Sequence, residues 1–160
     1  MTRRRKKKQT GKDRRASWGW MVAFCTAVLL GLTLSPHSEV RGVNLVPLDQ
    51  TWRAARGVMA APDPLQHPAF NYLALHVMGN IAAFVPFGFA TAGLLRGRSR
   101  LWTLARVVAW GFLLSLAIEL MQLIMVTRAT DIDDLIFNTL GTFLGASVLL
   151  VFARPDRPKP

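Results

Sequence analysis

The sequence has little cysteine and little acid. Its 160 residues include one cysteine, Cys25, and nine acidic residues against twenty lysines and arginines. A single cysteine excludes an internal disulfide framework and a multi-thiolate metal site, and within an apolar run Cys25 is typical of a small buried or lipid-facing side chain. The acidic residues cannot balance the basic ones, and the formal net charge is +11. Taken alone, this charge indicates either a nucleic-acid binder or a protein with a basic segment at a membrane surface.

The position of the basic residues along the chain excludes nucleic-acid binding. Nine of the twenty lie within residues 3–15, and long apolar runs dominate the remainder of the chain. A protein that reads a nucleic-acid groove distributes its basic residues over a folded face instead. Residues 1–17 are too charged to bury a core, so we expect a disordered basic tail. This tail would contact anionic lipid head groups.

Four apolar runs predict an all-α polytopic membrane protein, a bundle of four transmembrane helices. A helix needs about 20 apolar residues to cross a bilayer, and the first run is at the short end of that range. No small-x-small cleavage site follows it, which favours an uncleaved anchor over a signal peptide. The outer loop 35–71 is predicted to hold a short interfacial helix within 43–60. The runs form one membrane domain over residues 18–153, followed by a tail at 154–160, and they cover residues 18–34, 72–95, 101–126 and 135–153.

The basic residues beside each run orient the predicted bundle. Cytoplasmic flanks of transmembrane helices carry an excess of lysine and arginine. With the N-terminus in the cytoplasm, 15 of the 20 basic residues lie on cytoplasmic flanks. The two opposite connections hold only Arg41, Arg53, Arg56 and Arg128. We therefore predict that both the N- and C-termini are cytoplasmic.

Polar side chains interrupt the apolar runs close to the predicted outer surface. Ionisable groups inside a membrane segment usually face a protein interior or a water-filled cavity. Three runs carry polar or small residues at positions i, i+4 and i+7, which share one side of a helix. We predict that these faces converge on a polar pocket that opens to the outside, with the 35–71 loop as a lid. The three sets are His76/Asn80/Ala83, Ser115/Glu119/Gln122 and Asp134/Asn138/Gly141.

Most of these polar residues also have a purely structural explanation. Asn138 and Gln122 would serve as interhelical hydrogen-bonding groups, and His76 as a satisfied interior histidine. Glu119 is harder to explain in this way, because a neutral amide would do the same at lower cost. Gly141 and Gly145 form a GxxxG pair suited to close helix packing.

Three aspartates lie together in the connection before the fourth run. The structural explanation for Asp131, Asp133 and Asp134 is a solvated loop, and the alternatives are a divalent-ion site or a cluster that orients a substrate. The DIDD segment lacks the glycine and terminal glutamate of a calcium-binding loop. No metal is predicted.

Three blocks of the sequence resemble the VanZ-like membrane proteins. They are NLVPL at Asn44–Leu48, NIAAFVPFG at Asn80–Gly88, and E-x-x-Q…R…D-x-D-D…N-x-x-G-x-x-x-G from Glu119 to Gly145. Leu48 departs from the aromatic residue expected more often at its position. The resemblance implies a small helical protein of the bacterial inner (plasma) membrane, and the family's namesake is associated with low-level resistance to teicoplanin. It also implies site positions at the motif residues, which are Asn44, Asn80, Glu119, Gln122, Arg128, Asp131, Asp133, Asp134 and Asn138.

Three functions remain open at this point. The first is binding or processing of a membrane lipid or lipid-linked envelope precursor, with Arg128 holding an anionic or carbonyl group. The second is a membrane enzyme with Glu119 as general base and Asp131 or Asp133 assisting water or a metal. The sequence has no Ser-His, Cys-His or HExxH arrangement that would name the reaction. The third is a transporter, which with four spans and no inverted repeat would require a homo-oligomer. No cofactor is predicted.

Overall fold

Helices account for most of the chain. The computed structural model describes residues 2–35, 43–97, 99–125 and 130–153. A single 3-10 turn at Pro64–Gln66 and a π-helical turn at Leu73–Met78 interrupt the α-helices. The remaining elements are, in chain order, α1 (Thr2–Thr33), β1 (Val43–Asn44), α2 (Asp49–Ala60), α3 (Pro68–Tyr72), α4 (Gly79–Leu95), α5 (Arg100–Ile124), β2 (Thr130–Asp131) and α6 (Ile132–Phe152).

Within the described residues, four helical segments are long and apolar enough to cross a membrane, which confirms the predicted all-α bundle of four spans. All four begin earlier than predicted, and the second and fourth do so because residues just before them cap the helix. The His67 side chain accepts from Ala69 N, with Pro68 at the first helical position, and the Asp131 side chain accepts from Asp133 N. Such caps satisfy backbone donors that the first turn leaves free. The segments are Gly11–Thr33, Pro68–Leu95, Arg100–Ile124 and Ile132–Phe152.

The basic N-terminal segment differs from the expected disordered tail. α1 is one continuous helix of 32 residues that begins at Thr2. Lysine, arginine and glutamine are good helix formers, and adding a residue to an existing helix avoids the nucleation penalty. The apolar part of α1 therefore extends into the charged residues before it.

α4 and α6 pack with their backbones in close contact. A Cβ atom on Gly145 would overlap the Val85 carbonyl oxygen, and one on Gly141 would overlap that of Ile81. On the facing helix, a Cβ atom on Gly88 would overlap the Thr142 carbonyl. The close packing predicted for Gly141 and Gly145 is thus found at the α4–α6 interface.

The bundle has two chemically different ends. At the end that we term the polar end, α5 finishes and α6 begins. At the opposite end, which we term the basic end, α4 finishes at Leu95 and α5 begins at Arg100. α1 starts and α6 finishes at the basic end, where Trp18 lies against Gly93 and Arg100 Nη2 donates to Ala153 O at 3.0 Å. Which side of a membrane each end faces stays a prediction.

Small apolar clusters fill the space between the helices, and the outer surface is also apolar. One cluster joins α1, α4 and α5 through Leu29, Phe84, Phe87 and Ile118. A second, nearer the basic end, joins α4, α5 and α6. Large apolar side chains such as Phe152 are widely exposed on the outside, at 83%. A contiguous apolar surface of this kind is suited to lipid.

Candidate functional site

A short parallel strand pair joins the connection after α1 to the start of α6. Val43 pairs with Thr130, and Asn44 pairs with Asp131. The side chains repeat this pairing, since Asn44 Nδ2 donates to Asp131 Oδ1 at 2.8 Å. Asn44 Oδ1 in turn accepts from Val46 N at 3.2 Å. Two of the sequence blocks named above therefore meet at the polar end.

Asp133 fastens the first turn of α2 to the start of α6. It is 1% exposed, so the solvated-loop interpretation does not hold for this residue. Its Oδ1 accepts from Leu48 N at 2.5 Å, and its Oδ2 accepts from Thr51 Oγ1 at 2.7 Å. We term this arrangement the clamp, which consists of Asn44, Leu48, Thr51, Asp131 and Asp133.

Leu48 has an unusual backbone conformation that the clamp stabilises. Its φ is 60° and its ψ is 5°, and within the described residues no other non-glycine residue has a positive φ. For a residue with a Cβ atom, the left-handed region costs roughly 1–2 kcal/mol. This conformation directs the Leu48 N–H to the Asp133 carboxylate. The hydrogen bond therefore offsets the backbone strain.

The strain at Leu48 leads to a ranking of three side chains. Leu48→Gly keeps the N–H and removes the steric conflict, so the free energy of unfolding should stay unchanged or rise by up to about 1 kcal/mol. Leu48→Val should lower it by about 1 kcal/mol or more, because a β-branched residue tolerates positive φ worst. Thermal unfolding in detergent, followed by tryptophan fluorescence, measures both. A valine variant more stable than the glycine variant would contradict the assignment.

A second group of polar residues lies deeper, between α4, α5 and α6. Glu119 is 6% exposed, and its Oε2 accepts from Asp131 N at 3.1 Å. The Glu119 carboxylate is also close enough to Asp134 to interact with it electrostatically. Asp134 Oδ1 accepts from Asn80 Nδ2 on α4. We term one group of these side chains the buried polar cluster. It consists of Asn80, Ser115, Glu119, Asp134 and Asn138.

Asn138 has a hydrogen-bonding atom that the bundle leaves unused. The residue is 3% exposed, and its Nδ2 donates to Ser115 Oγ at 2.9 Å. Its Oδ1 has no hydrogen-bond partner among the residues that the structure describes. Buried polar atoms without a partner are rare in proteins. The buried polar cluster thus contains an acceptor that a donor group of a ligand would satisfy.

Two predicted site residues have other contacts. Gln122 Nε2 donates to Thr33 O at 2.8 Å, so this side chain links α5 to the end of α1. His76 stacks on Tyr72 with 4.6 Å between ring centroids, in the π-helical turn before α4. Arg128 lies outside the described residues, and its role stays a prediction.

The carboxylates are arranged for hydrogen bonds rather than for a metal ion. In the described ranges, no three His, Cys, Asp or Glu residues are placed to hold a metal. Asp131 and Asp133 direct their oxygens to N–H and O–H donors. Sequence reasoning missed Leu48 and Thr51 as their partners. Thr51 belongs to no motif, and its partner is 82 residues away.

Comparison with known proteins identifies a family but no individual relative. The family model described as VanZ/LLP1 matches residues 16–153. The matched segment contains the four apolar runs, the clamp and the buried polar cluster. No curated protein and no solved structure matches the chain.

Proposed function

Because the chain belongs to the VanZ/LLP1 family and has four membrane-length apolar helices, we propose that its buried polar cluster binds a polar head group. The head group would be that of an envelope lipid or a lipid-linked precursor, presented in the outer leaflet. The observation that carries the proposal is Glu119, a carboxylate 6% exposed within a helix of membrane length. Ionisable residues in such helices mark binding or transport sites by default.

The chemistry of the cluster favours a ligand rich in hydrogen-bond donors. Glu119 and Asp134 contribute carboxylates, and Asn138 contributes a buried carbonyl oxygen without a protein partner in the described chain. The Gln122 Oε1 atom is a further buried acceptor of this kind. Hydroxyl, amide and ammonium groups would satisfy these acceptors. Sugar, peptide and amine head groups of envelope lipids carry such groups.

α2 supports access from the membrane surface. Trp52 on α2 is 55% exposed, and Leu45 and Val46 just before it are 68% and 60% exposed. Arg56 lies over the Trp52 ring at 5.2 Å. Exposed aromatic and basic groups on a short helix, with exposed aliphatic groups just before it, are typical of an interfacial helix. The clamp holds this helix beside the buried polar cluster, as a lid would be held.

Glu119→Gln separates ligand binding from folding. Glutamine keeps an oxygen that accepts from Asp131 N, so the midpoint of thermal unfolding should change by only a few degrees. We expect at least a tenfold loss of head group retained on gentle purification, because hydrogen bonds to charged groups contribute about 1.5–3 kcal/mol. Mass spectrometry of co-purified lipids and metabolites measures the loss. Asp63→Asn, which removes an exposed acid in the turn after α2, is the control and should retain the wild-type amount.

The same variant distinguishes two further outcomes. If Glu119→Gln retained the wild-type set of molecules, head-group binding at this cluster would be refuted. The second candidate, an enzyme with Glu119 as base, is favoured by the backbone N–H that fixes its carboxylate. It requires that Glu119→Gln abolish conversion of an envelope lipid by purified protein.

If the head group belongs to a cell-wall precursor, expression of the wild type and not of Glu119→Gln would alter teicoplanin susceptibility.

A further inference from the structure

The basic end of the bundle contains a small cavity that is separate from the buried polar cluster. Its volume is about 190 Å³. α1 supplies Arg14, Arg15 and Trp18, and the end of α4 supplies Gly93 and Leu94, with Arg96 just beyond. Three arginines and a tryptophan thus line the cavity.

Trp18 is fixed in the wall of this cavity by its contacts with α4. A Cβ atom on Gly93 would overlap the Trp18 ring, so α1 approaches α4 closely here only because residue 93 is glycine. The Trp18 and Phe89 rings are tilted against each other, with 5.9 Å between their centroids. The indole is therefore held at the level where the apolar part of α1 gives way to its charged part. Tryptophan and arginine together at this level are typical of the membrane interface.

The charge around this cavity is strongly one-sided. Lys12, Arg100 and Arg106 lie at the same end of the bundle as the three arginines of the cavity. Asp13 is the one acidic residue among the described residues at this end. The other described acids belong to the polar end or to α2 and the turn that follows it. Such a concentration of cations attracts a multivalent or delocalised anion.

We propose that Arg14, Arg15 and Arg96 form a binding site for the phosphate group of an anionic phospholipid. Arginine presents a planar fork of N–H donors that matches phosphate oxygens. Trp18 and Leu94 give the cavity an apolar side against which the glycerol and the start of an acyl chain can lie. Basic cavities between transmembrane helices bind anionic lipid head groups in this way. The site does not depend on the function proposed for the buried polar cluster.

The test measures lipid binding to the full-length protein by native mass spectrometry in detergent. Phosphatidylglycerol should bind to the wild type and raise the midpoint of thermal unfolding, and phosphatidylcholine should do neither. Arg14→Gln/Arg96→Gln should weaken phosphatidylglycerol binding by about tenfold or more, since each basic residue near a lipid phosphate adds appreciable affinity. The matched control, Arg53→Gln/Arg56→Gln, removes the same charge from α2, away from the cavity, and should bind within twofold of the wild type.

Two results would overturn the proposal. One is that the control pair weakens phosphatidylglycerol binding as much as Arg14→Gln/Arg96→Gln does, which would mean that only the net charge matters. The other is that inorganic phosphate raises the unfolding midpoint as much as phosphatidylglycerol does, which would mean that the site binds phosphate and is not specific for a lipid. Should the double variant not fold, Arg14→Gln and Arg96→Gln alone are each expected to weaken binding about threefold. Wild-type affinity in both single variants would also refute the site.

Discussion

Gly145→Leu should prevent α4 and α6 from packing and leave little folded protein. The new side chain would start inside the Val85 carbonyl oxygen, a backbone atom that cannot rotate away. Inserting bulk into a packed interior costs about 1–3 kcal/mol and more where the neighbour cannot move, so we expect the free energy of unfolding to fall by about 3 kcal/mol or more. Gly145→Ala should also lower the free energy of unfolding, but by less. Size-exclusion profiles and thermal unfolding of detergent-purified protein measure it.

The control for this series lies on α1. Among the described residues, none has an atom within 4 Å of the Cβ position of Gly31, so Gly31→Leu makes the same chemical change with no described neighbour to displace. We expect its unfolding midpoint to match the wild type. A Gly145→Leu protein that is as stable as Gly31→Leu would mean that α4 and α6 do not meet at this position.

Asp133→Ala should detach α2 from the rest of the bundle. It removes the acceptor of the Leu48 N–H and of the Thr51 hydroxyl at a position that is 1% exposed. Both hydrogen bonds are part-buried, and a buried donor left without a partner costs about 1–3 kcal/mol, so we expect a combined loss of about 2 kcal/mol or more. Amide hydrogen exchange over Leu48–Ala60 should rise, while that of α5 should stay low.

Asp63→Ala is the matched control for Asp133→Ala. Asp63 also accepts from a backbone N–H and from a side chain, those of Leu65 and Gln66, but it is exposed. Water can replace the carboxylate there, so we expect a loss of about 1 kcal/mol or less. Similar losses for the two variants would contradict the structural role given to Asp133.

The membrane spans could be predicted from the sequence because bilayer thickness imposes length and hydropathy on each helix. The glycine contacts were also predictable in part, since Gly141 and Gly145 are spaced for one helix face. The partner helix could not be predicted, because a GxxxG pair does not indicate which helix it packs against. The helical start of α1 could not be predicted from the composition of residues 1–17 alone, because it depends on the apolar helix that follows.

The polar residues of the candidate site could be singled out from the sequence, but their contacts could not. Glu119, Asp134 and Asn138 are conspicuous because polar groups are rare in apolar runs. Asp133 gave no indication of its partner, which is the backbone N–H of Leu48, 85 residues earlier. A hydrogen bond to a backbone group leaves no complementary side chain in the sequence. Glu119 likewise accepts from a backbone group, the N–H of Asp131, which the sequence does not reveal.

The contact between Glu119 and Asp131 N also has a consequence for biosynthesis. Chains emerge from the ribosome N-terminus first, so α5 reaches the translocation channel before the residue that stabilises its carboxylate. An isolated acid at the middle of a membrane helix raises the insertion free energy by about 2.5–3.5 kcal/mol, and Glu119, in the last two turns of α5, incurs part of that cost. Entry of α5 together with the next helix, as a hairpin, avoids that penalty. A nascent chain stalled ahead of Asp131 would therefore lack the N–H from which the Glu119 carboxylate accepts in the folded protein.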